Sequence, residues 1–289
     1  MAKAMPAIDA KTQVCALIGH PVGHSLSPAI HNAAFEALSL PYVYVAHDVL
    51  PDRVSEAVAG VRAFGYRGLS ITIPHKVSAM QHVDEVEPTA RRIGCINTIV
   101  NDAGRLKGYN SDGRGAIQAL REAGCDPAAK HVVVLGSGGA ARAIAMTLAA
   151  EAPPSRVVIL GVVPDELERL GNDVAAIGSC EVIPHQLDEA SLAEQLERAE
   201  VLLQCTPIGM HPDEEQTLVS PARLRRGLTV FDAVYNPRRT RLLKDAEAAG
   251  CRTVEGVRMF LRQAVVQFEL WTGRDAPVDV MGRVLEERL

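Results

Sequence analysis

The stretch from His131 to Ala141 constrains this chain more than any other. His131–Leu135 is a β-branched, apolar run that passes with no linker into Gly136-Ser137-Gly138-Gly139-Ala140-Ala141, where an apolar pattern of helical period begins. A strand that turns on glycine directly into a helix is the entry to a βαβ unit. Gly136 permits the tight turn, Gly138 lets backbone approach a pyrophosphate, and Ala141 lets helix and strand pack closely. The helix then offers its unpaired N–H groups to phosphate, with Ser137, Gly139 and Ala140 filling out the cradle. Glycine clusters also make plain loops; the strand before this one and the helix after it favour a dinucleotide site.

Around this motif the pattern alternates. Strand-like runs at Val132–Leu135, Arg156–Leu160, Glu181–Ile183, Val201–Gln204 and Leu228–Asp232 are separated by helical segments from Gly139, Asp165, Asp188 and Thr240. Such alternation predicts a doubly wound parallel sheet of the Rossmann kind. The first third has its own series: strands at Val14–Ile18, Tyr42–His47 and Leu69–Ile73, and helices at Ser27–Leu38 and Pro51–Phe64. Ser27 stands where an N-cap belongs, with Pro28 in the first turn. Ile96–Val100, a turn at Asp102–Gly104 and Leu106–Tyr109 read as a hairpin leading into a helix over Asp112–Ala123. The last forty residues read as two helices, Gly256–Trp271 and Pro277–Glu287, without a strand. The fold class is therefore α/β, with more than one domain expected of 289 residues.

Composition narrows the function. A net charge of −5, with acids and bases interspersed, leaves no basic stripe for nucleic acid. No apolar run approaches the roughly 20 residues that span a bilayer, and MAKAMPAIDAKTQ lacks a signal-peptide pattern, so a cytoplasmic protein without a membrane partner is expected. The six cysteines contain no C-x-x-C pair and read as reduced. The nine histidines give no metal-binding spacing beyond a loose His20/His24, so no metal is expected. Monomer and homodimer both stay open.

The residues that remain carry chemistry. His24-Ser25-Leu26-Ser27-Pro28, Thr72-Ile73-Pro74-His75-Lys76, Asn97-Thr98 and Asn110-Ser111-Asp112 supply hydroxyls, amides, one cation and one anion. That mixture suits a small polyol acid. Thr206-Pro207-Ile208-Gly209-Met210 follows a strand, at the carboxyl end where open sheets bind ligands, and reads as a nicotinamide contact. With the glycine turn and with Gln263-Ala264 and Phe268-Glu269-Leu270-Trp271-Thr272-Gly273, these motifs resemble the shikimate dehydrogenase family from about residue 18 to 273.

The resemblance implies a substrate domain of residues 1–112, completed by the C-terminal helices of 255–289, with an NAD(P)-binding Rossmann domain of 113–254 inserted between them. It implies reversible, NADP-linked reduction of 3-dehydroshikimate to shikimate on the way to chorismate and the aromatic amino acids. Lys76 and Asp112 match the catalytic pair; Ser25, Ser27, Ser70, Thr72, Asn97, Tyr235 and Gln263 match substrate-holding positions. Gly136, Ser137, Gly138, Gly139, Ala140, Thr206, Pro207, Gly209, Met210 and Gly256 match cofactor positions. The chemistry agrees: a hydride reaching a ketone leaves charge on oxygen, which an ammonium can stabilise and protonate while a carboxylate holds that ammonium in place. This reading requires Lys76 and Asp112 to meet opposite the bound dinucleotide.

Three positions depart from the family. Ser70 stands for an asparagine, and Ser111 for a threonine in Asn110-Ser111-Asp112. Gly161-Val162-Val163 replaces the Asn-Arg-Thr that grips the 2′-phosphate of NADP. Losing a charge-assisted hydrogen bond of about 1.5–3 kcal/mol lowers NADP preference by about ten- to a hundredfold. The expectation is that NAD is accepted or preferred, with Asp165 reaching the ribose. Quinate dehydrogenase, a dual quinate/shikimate enzyme and a non-catalytic nucleotide-binding regulator are the competing readings.

Overall fold

In the computed structural model, residues 8–289 are described; Met1–Ala7, part of the segment read for a signal sequence, lies outside them. The chain divides into two compact units, one formed by residues up to Ser111 together with Gln263–Leu289, the other by Asp112–Arg262. The change-over near the C-terminus falls inside a helix, eight residues beyond the boundary that the resemblance implied.

The first unit begins with β1 (Gln13–Gly19), α1 (Ser27–Ala37), β2 (Tyr42–Asp48), a 3₁₀ turn at Pro51–Arg53, α2 (Val54–Phe64) and β3 (Gly68–Ile71). It continues through β4 (Glu85–Val86), α3 (Pro88–Ile93), β5 (Thr98–Asp102) and β6 (Arg105–Tyr109). The six strands form one mixed sheet in the order β2-β1-β3-β5-β6-β4. β2, β1 and β3 run parallel, because α1 and α2 return the chain to the same end each time. β5 and β6 are antiparallel, joined by Ala103-Gly104 with φ of 50° and 93°. Two residues in the left-handed region make the turn that matches strand twist. One sheet face packs on Val54, Val58 and Val61 of α2, and its own Ile18, Leu69, Ile71, Ile99 and Leu106 complete that core.

The second unit runs α4 (Asp112–Glu122), β7 (His131–Leu135), α5 (Gly139–Glu151), β8 (Arg156–Gly161), α6 (Pro164–Ala175) and β9 (Glu181–Gln186). Then come α7 (Glu189–Arg198), β10 (Val201–Gln204), β11 (Thr229–Asp232), α8 (Arg241–Ala248), β12 (Arg252–Val254) and α9 (Gly256–Thr272), whose second half belongs to the first unit. All six strands pair in parallel, in the order β12-β11-β10-β7-β8-β9. The order reverses between β7 and β10, which is the doubly wound arrangement with its crevice at that switch. α10 (Val278–Glu286) packs on α1 within the first unit. Among the described residues, no helix is long and apolar enough to cross a membrane.

Two sequence expectations need correction. Ser27 is the first helical residue of α1 rather than its cap: Leu26 holds the cap position with helical angles, and no side chain caps the helix. The Ser25 hydroxyl accepts the Ser27 amide at 3.3 Å, which leaves the Ser27 hydroxyl to Tyr44. The last forty residues do contain a strand, β12, whose three residues are too short for alternation to show and which forms by pairing with β11.

The sheet of the first unit depends on a close approach at Gly68. A Cβ there would lie 2.3 Å from both the Ile99 carbonyl oxygen and the Trp271 indole nitrogen, which hydrogen-bond to each other at 3.0 Å. Gly68→Ala is expected to destabilise the protein by about 1–3 kcal/mol, as overpacking does. Gly60→Ala in α2, where the new methyl meets only the Phe64 ring at 3.6 Å, should be neutral or stabilise by up to about 1 kcal/mol. Thermal and denaturant midpoints check both; equal stability of the two variants would show that β3 tolerates a side chain at 68.

Candidate active site

Polar side chains of the first unit join into one hydrogen-bonded array at the carboxyl end of β3 and the amino end of the antiparallel β5. The Tyr44 hydroxyl, in contact with Ser27, donates to Ser70 Oγ at 2.7 Å, and Ser70 donates to Gln267 Oε1 at 2.8 Å. Gln267 Nε2 donates to the Asn97 carbonyl at 3.2 Å and to Thr98 Oγ1 at 3.1 Å. Thr98 donates in turn to Asn97 Oδ1 at 2.7 Å. Asn97 Nδ2 donates to Ser111 Oγ at 3.0 Å, and the Ser111 amide returns to Asn97 Oδ1 at 2.9 Å. The Ser111 hydroxyl also lies 3.4 Å from Gln263 Oε1. Ser27, Ser70, Asn97 and Gln267 are all buried.

The loop that carries Thr72 and Lys76 is pinned along its length. The Thr72 amide donates to the Ile18 carbonyl at 3.0 Å, and the His75 amide to the Thr72 carbonyl at 2.9 Å. The buried His75 ring bonds the Val49 carbonyl through Nε2 at 2.7 Å, and the Lys76 carbonyl accepts from the Ile96 amide at 3.0 Å. β3 therefore ends at Ile71, and Lys76 is set by a turn rather than by a strand. Gly19 makes the approach feasible, since a Cβ at that position would come within 2.3 Å of the Thr72 methyl. Lys76 is half-buried. Asp112 is buried and opens α4, at the start of the second unit.

In the second unit, Gly136 adopts φ of 103° and its amide donates to the Leu160 carbonyl at 2.7 Å. Cβ atoms at Gly138 and Gly139 would meet nothing within 4 Å, and no side chain caps the start of α5. The turn thus presents open space over helix amides, which fits a pyrophosphate. Thr206-Pro207-Ile208-Gly209-Met210 follows β10, next to the switch point. It is shaped by Gln204, whose Oε1 accepts from the Thr206 amide at 3.0 Å and whose Nε2 donates to the Ile208 carbonyl at 3.1 Å. Met210 is half exposed. Tyr235 lies in this unit too, its ring 5.5 Å from that of Phe260. Gly256 opens α9 with a Cβ position 2.6–2.7 Å from the carbonyl oxygens of Asp232, Ala233 and Val234, so only glycine fits there. Asp232 holds the Tyr235 loop through Thr240 at 2.7 Å and the Val234 amide at 3.0 Å; burial raises its pKa to about 6.

Two family models match this chain: the shikimate dehydrogenase substrate binding domain over residues 17–99 and the shikimate 5'-dehydrogenase C-terminal domain over 256–286. A curated shikimate dehydrogenase (NADP(+)) of Moorella thermoacetica is 45% identical over 98% of this chain and 95% of its own length. One from Methanopyrus kandleri is also 45% identical, over 98% of each chain. This chain belongs to the shikimate dehydrogenase family. Among solved structures, shikimate 5-dehydrogenase from Listeria monocytogenes, in complex with shikimate and NAD, superposes with a TM-score of 0.91 at 35% identity, covering 96% of this chain and 98% of that one. Quinate dehydrogenase from Corynebacterium glutamicum, in complex with NAD, reaches 0.87 at 29% identity over 96% and 99%.

Within this family frame, the structure adds residues that sequence reasoning missed. Tyr44, Thr98 and Gln267 hold the array together. Gln267 lies one helical turn beyond Gln263 on α9, and Trp271 one turn further; that i, i+4, i+8 row on one helix face was the signal available. His31 was missed as well. It is fully buried, its ring stacked on Tyr44 at 4.6 Å between centroids and tilted 5.2 Å from Trp271. Neither ring nitrogen has a hydrogen-bond partner among the described residues. Burial lowers the imidazole pKa to about 3.

His31 therefore links stability to pH. An unfolded histidine takes a proton below about 6.5, whereas the folded one stays neutral down to about 3. The unfolded state binds the extra proton in that window, so stability is full above the upper limit and falls as pH drops through it, by up to about 1.4 kcal/mol per pH unit. His31→Phe should flatten the decline in unfolding free energy between pH 6.5 and 4 relative to the parent. Parallel profiles would refute the burial of a neutral imidazole.

Proposed function

We propose that this chain is a cytoplasmic dehydrogenase that interconverts 3-dehydroshikimate and shikimate reversibly with a nicotinamide dinucleotide. The observation that carries this reading is the continuous array of hydroxyls and amides from Ser27 to Gln263. A ring bearing several hydroxyls and a carboxylate needs many neutral donors and acceptors held in fixed directions, and burial of the array fixes them.

Within this reading, Ser25, Ser27, Thr72, Asn97, Tyr235 and Gln263 bind the substrate. The Gly136–Ala140 turn holds the pyrophosphate, and Thr206, Pro207, Gly209 and Met210 the nicotinamide end, with Gly256 leaving room for backbone at that edge. The bound nicotinamide supplies or accepts the hydride. Lys76 gives its ammonium proton to the carbonyl oxygen as charge develops there, and takes a proton from the hydroxyl in the reverse direction. Asp112 keeps that ammonium charged and oriented. Ser70, whose hydroxyl is already engaged by Tyr44 and Gln267, contributes mainly by fixing its neighbours, where an asparagine side chain would extend further.

Lys76→Ala should lower kcat by about 10²–10⁴ while leaving dinucleotide affinity unchanged, since acid–base assistance is typically worth that much. The assay is a spectrophotometric panel of shikimate and quinate with NAD and NADP. Preferential oxidation of quinate would move the assignment to quinate dehydrogenase. Unchanged turnover in the variant would remove Lys76 from the chemistry.

A further inference from the structure

We infer that the adenosine end of this site is built for a free ribose 2′-hydroxyl, so that the chain prefers NAD to NADP; the inference rests on reading the Gly136–Ala141 turn as the dinucleotide site. In a doubly wound unit the 2′ substituent is read at the tip of the second strand, by an acid for a hydroxyl and by a base for a phosphate. Here that strand is β8, and the structure ties its tip to the glycine turn. The Gly136 amide bonds the Leu160 carbonyl, and a Cβ at Gly161 would stand 3.0 Å from Ser137 Oγ. Whatever leaves the turn on this side meets residues 161 to 163.

These residues offer no charge. Gly161 has no side chain, and Val162 and Val163 are 63% and 45% exposed, apolar surface where a phosphate would need donors. A phosphate monoester carries about −1.5 to −2 charges at neutral pH and is held by charge-assisted hydrogen bonds. The cation in the first turn of α5, Arg142, is committed: its Nη2 lies 2.5 Å from Asp173 Oδ2 on α6. α6 itself opens Pro164-Asp165-Glu166, both carboxylates in its first turn. Further along, Arg169 stands among Asp165, Glu168, Asn172 and Asp173. Acids therefore outnumber bases on the element that follows the tip, and a second phosphate would arrive against like charge.

The same geometry says where a hydroxyl is received. A side chain at position 161 would be crowded, with Ser137 Oγ at 3.0 Å and the Leu167 methyl at 3.4 Å from its Cβ. The acceptor must come from the first turn of α6, where Asp165 and Glu166 are exposed and the helix has no side-chain cap. The Ser137 hydroxyl provides a neutral partner on the opposite side.

The test is direct binding to the full-length protein without substrate, by calorimetry or intrinsic fluorescence at 0.15 M salt, together with kcat/KM for both dinucleotides. The dissociation constant for NADP should exceed that for NAD by about tenfold or more, the value of one charge-assisted contact. A ratio below that overturns the inference. Val162→Arg replaces an exposed side chain, so folding should survive, as circular dichroism will verify. It should tighten NADP by about tenfold or more while NAD changes less than about twofold; no gain for NADP would show that the 2′ group is read elsewhere. Binding of neither dinucleotide would overturn this inference and the dinucleotide reading together. Preferential NAD binding without turnover of shikimate or quinate would sustain it and defeat only the proposed activity.

Discussion

A carboxamide buried to 1% exposure has to find partners inside the protein, and Gln267 finds three: Ser70 on β3, the Asn97 carbonyl and Thr98 on β5. Any one of them lost leaves a polar atom stranded, at about 1–3 kcal/mol. Because Gln267 sits on α9 and its partners on a sheet some 170 positions earlier, the same bonds that satisfy the amide make one unit out of two distant segments. Trp271, one turn later, repeats the device with its indole N–H on the Ile99 carbonyl. The first unit is thus assembled around neutral groups whose directions are fixed by mutual need, and Ser27, Asn97 and Gln263, proposed above to bind substrate, belong to that set.

The second unit solves a different problem with other means. Its four central strands are buried on both faces and all six run parallel, so specificity there comes from backbone rather than from side-chain networks. Gly136, Gly138 and Gly256 each mark a place where a Cβ would crowd a carbonyl, demand strained geometry or fill space needed by a ligand. Side chains enter chiefly where loops must be shaped, as with Gln204 beneath Thr206 and Asp232 beneath Tyr235. Raising the pKa of Asp232 to about 6 by burial is tolerable because Thr240 and the Val234 amide offset part of the cost.

Much of this was legible from sequence because it rests on local pattern. The alternation from Val132 to Asp232 and the glycine turn after β7 gave the parallel sheet, and the motifs around Ser25, Thr72, Asn97 and Gln263 gave the polar residues of the first unit. What escaped was what depends on contacts between distant segments. Ser27 carries the composition of a cap, but Ser25 takes its amide and Tyr44 its hydroxyl, and neither follows from local spacing. β12 exists because β11 offers an edge, and β4 because β6 does. The C-terminal limit of the nucleotide-binding unit fell inside α9 because helical periodicity continues unbroken through a change of neighbours. Gln267 reads as an ordinary polar helix residue until the strands that receive it are known.

The network also bears on where charge resides. Burial holds the Tyr44 phenol above its ordinary range and the His31 imidazole down at about 3, so both are neutral across the working pH of a cell. Ser27, Ser70, Asn97, Thr98, Gln263 and Gln267 have no charge to change. An array of this kind can define the position of a polyol ring without altering the proton count as the surroundings vary. The proton transfer proposed for Lys76 then falls to a group outside this neutral frame. A frame whose buried members titrated within that range would couple substrate binding to pH and give up that separation.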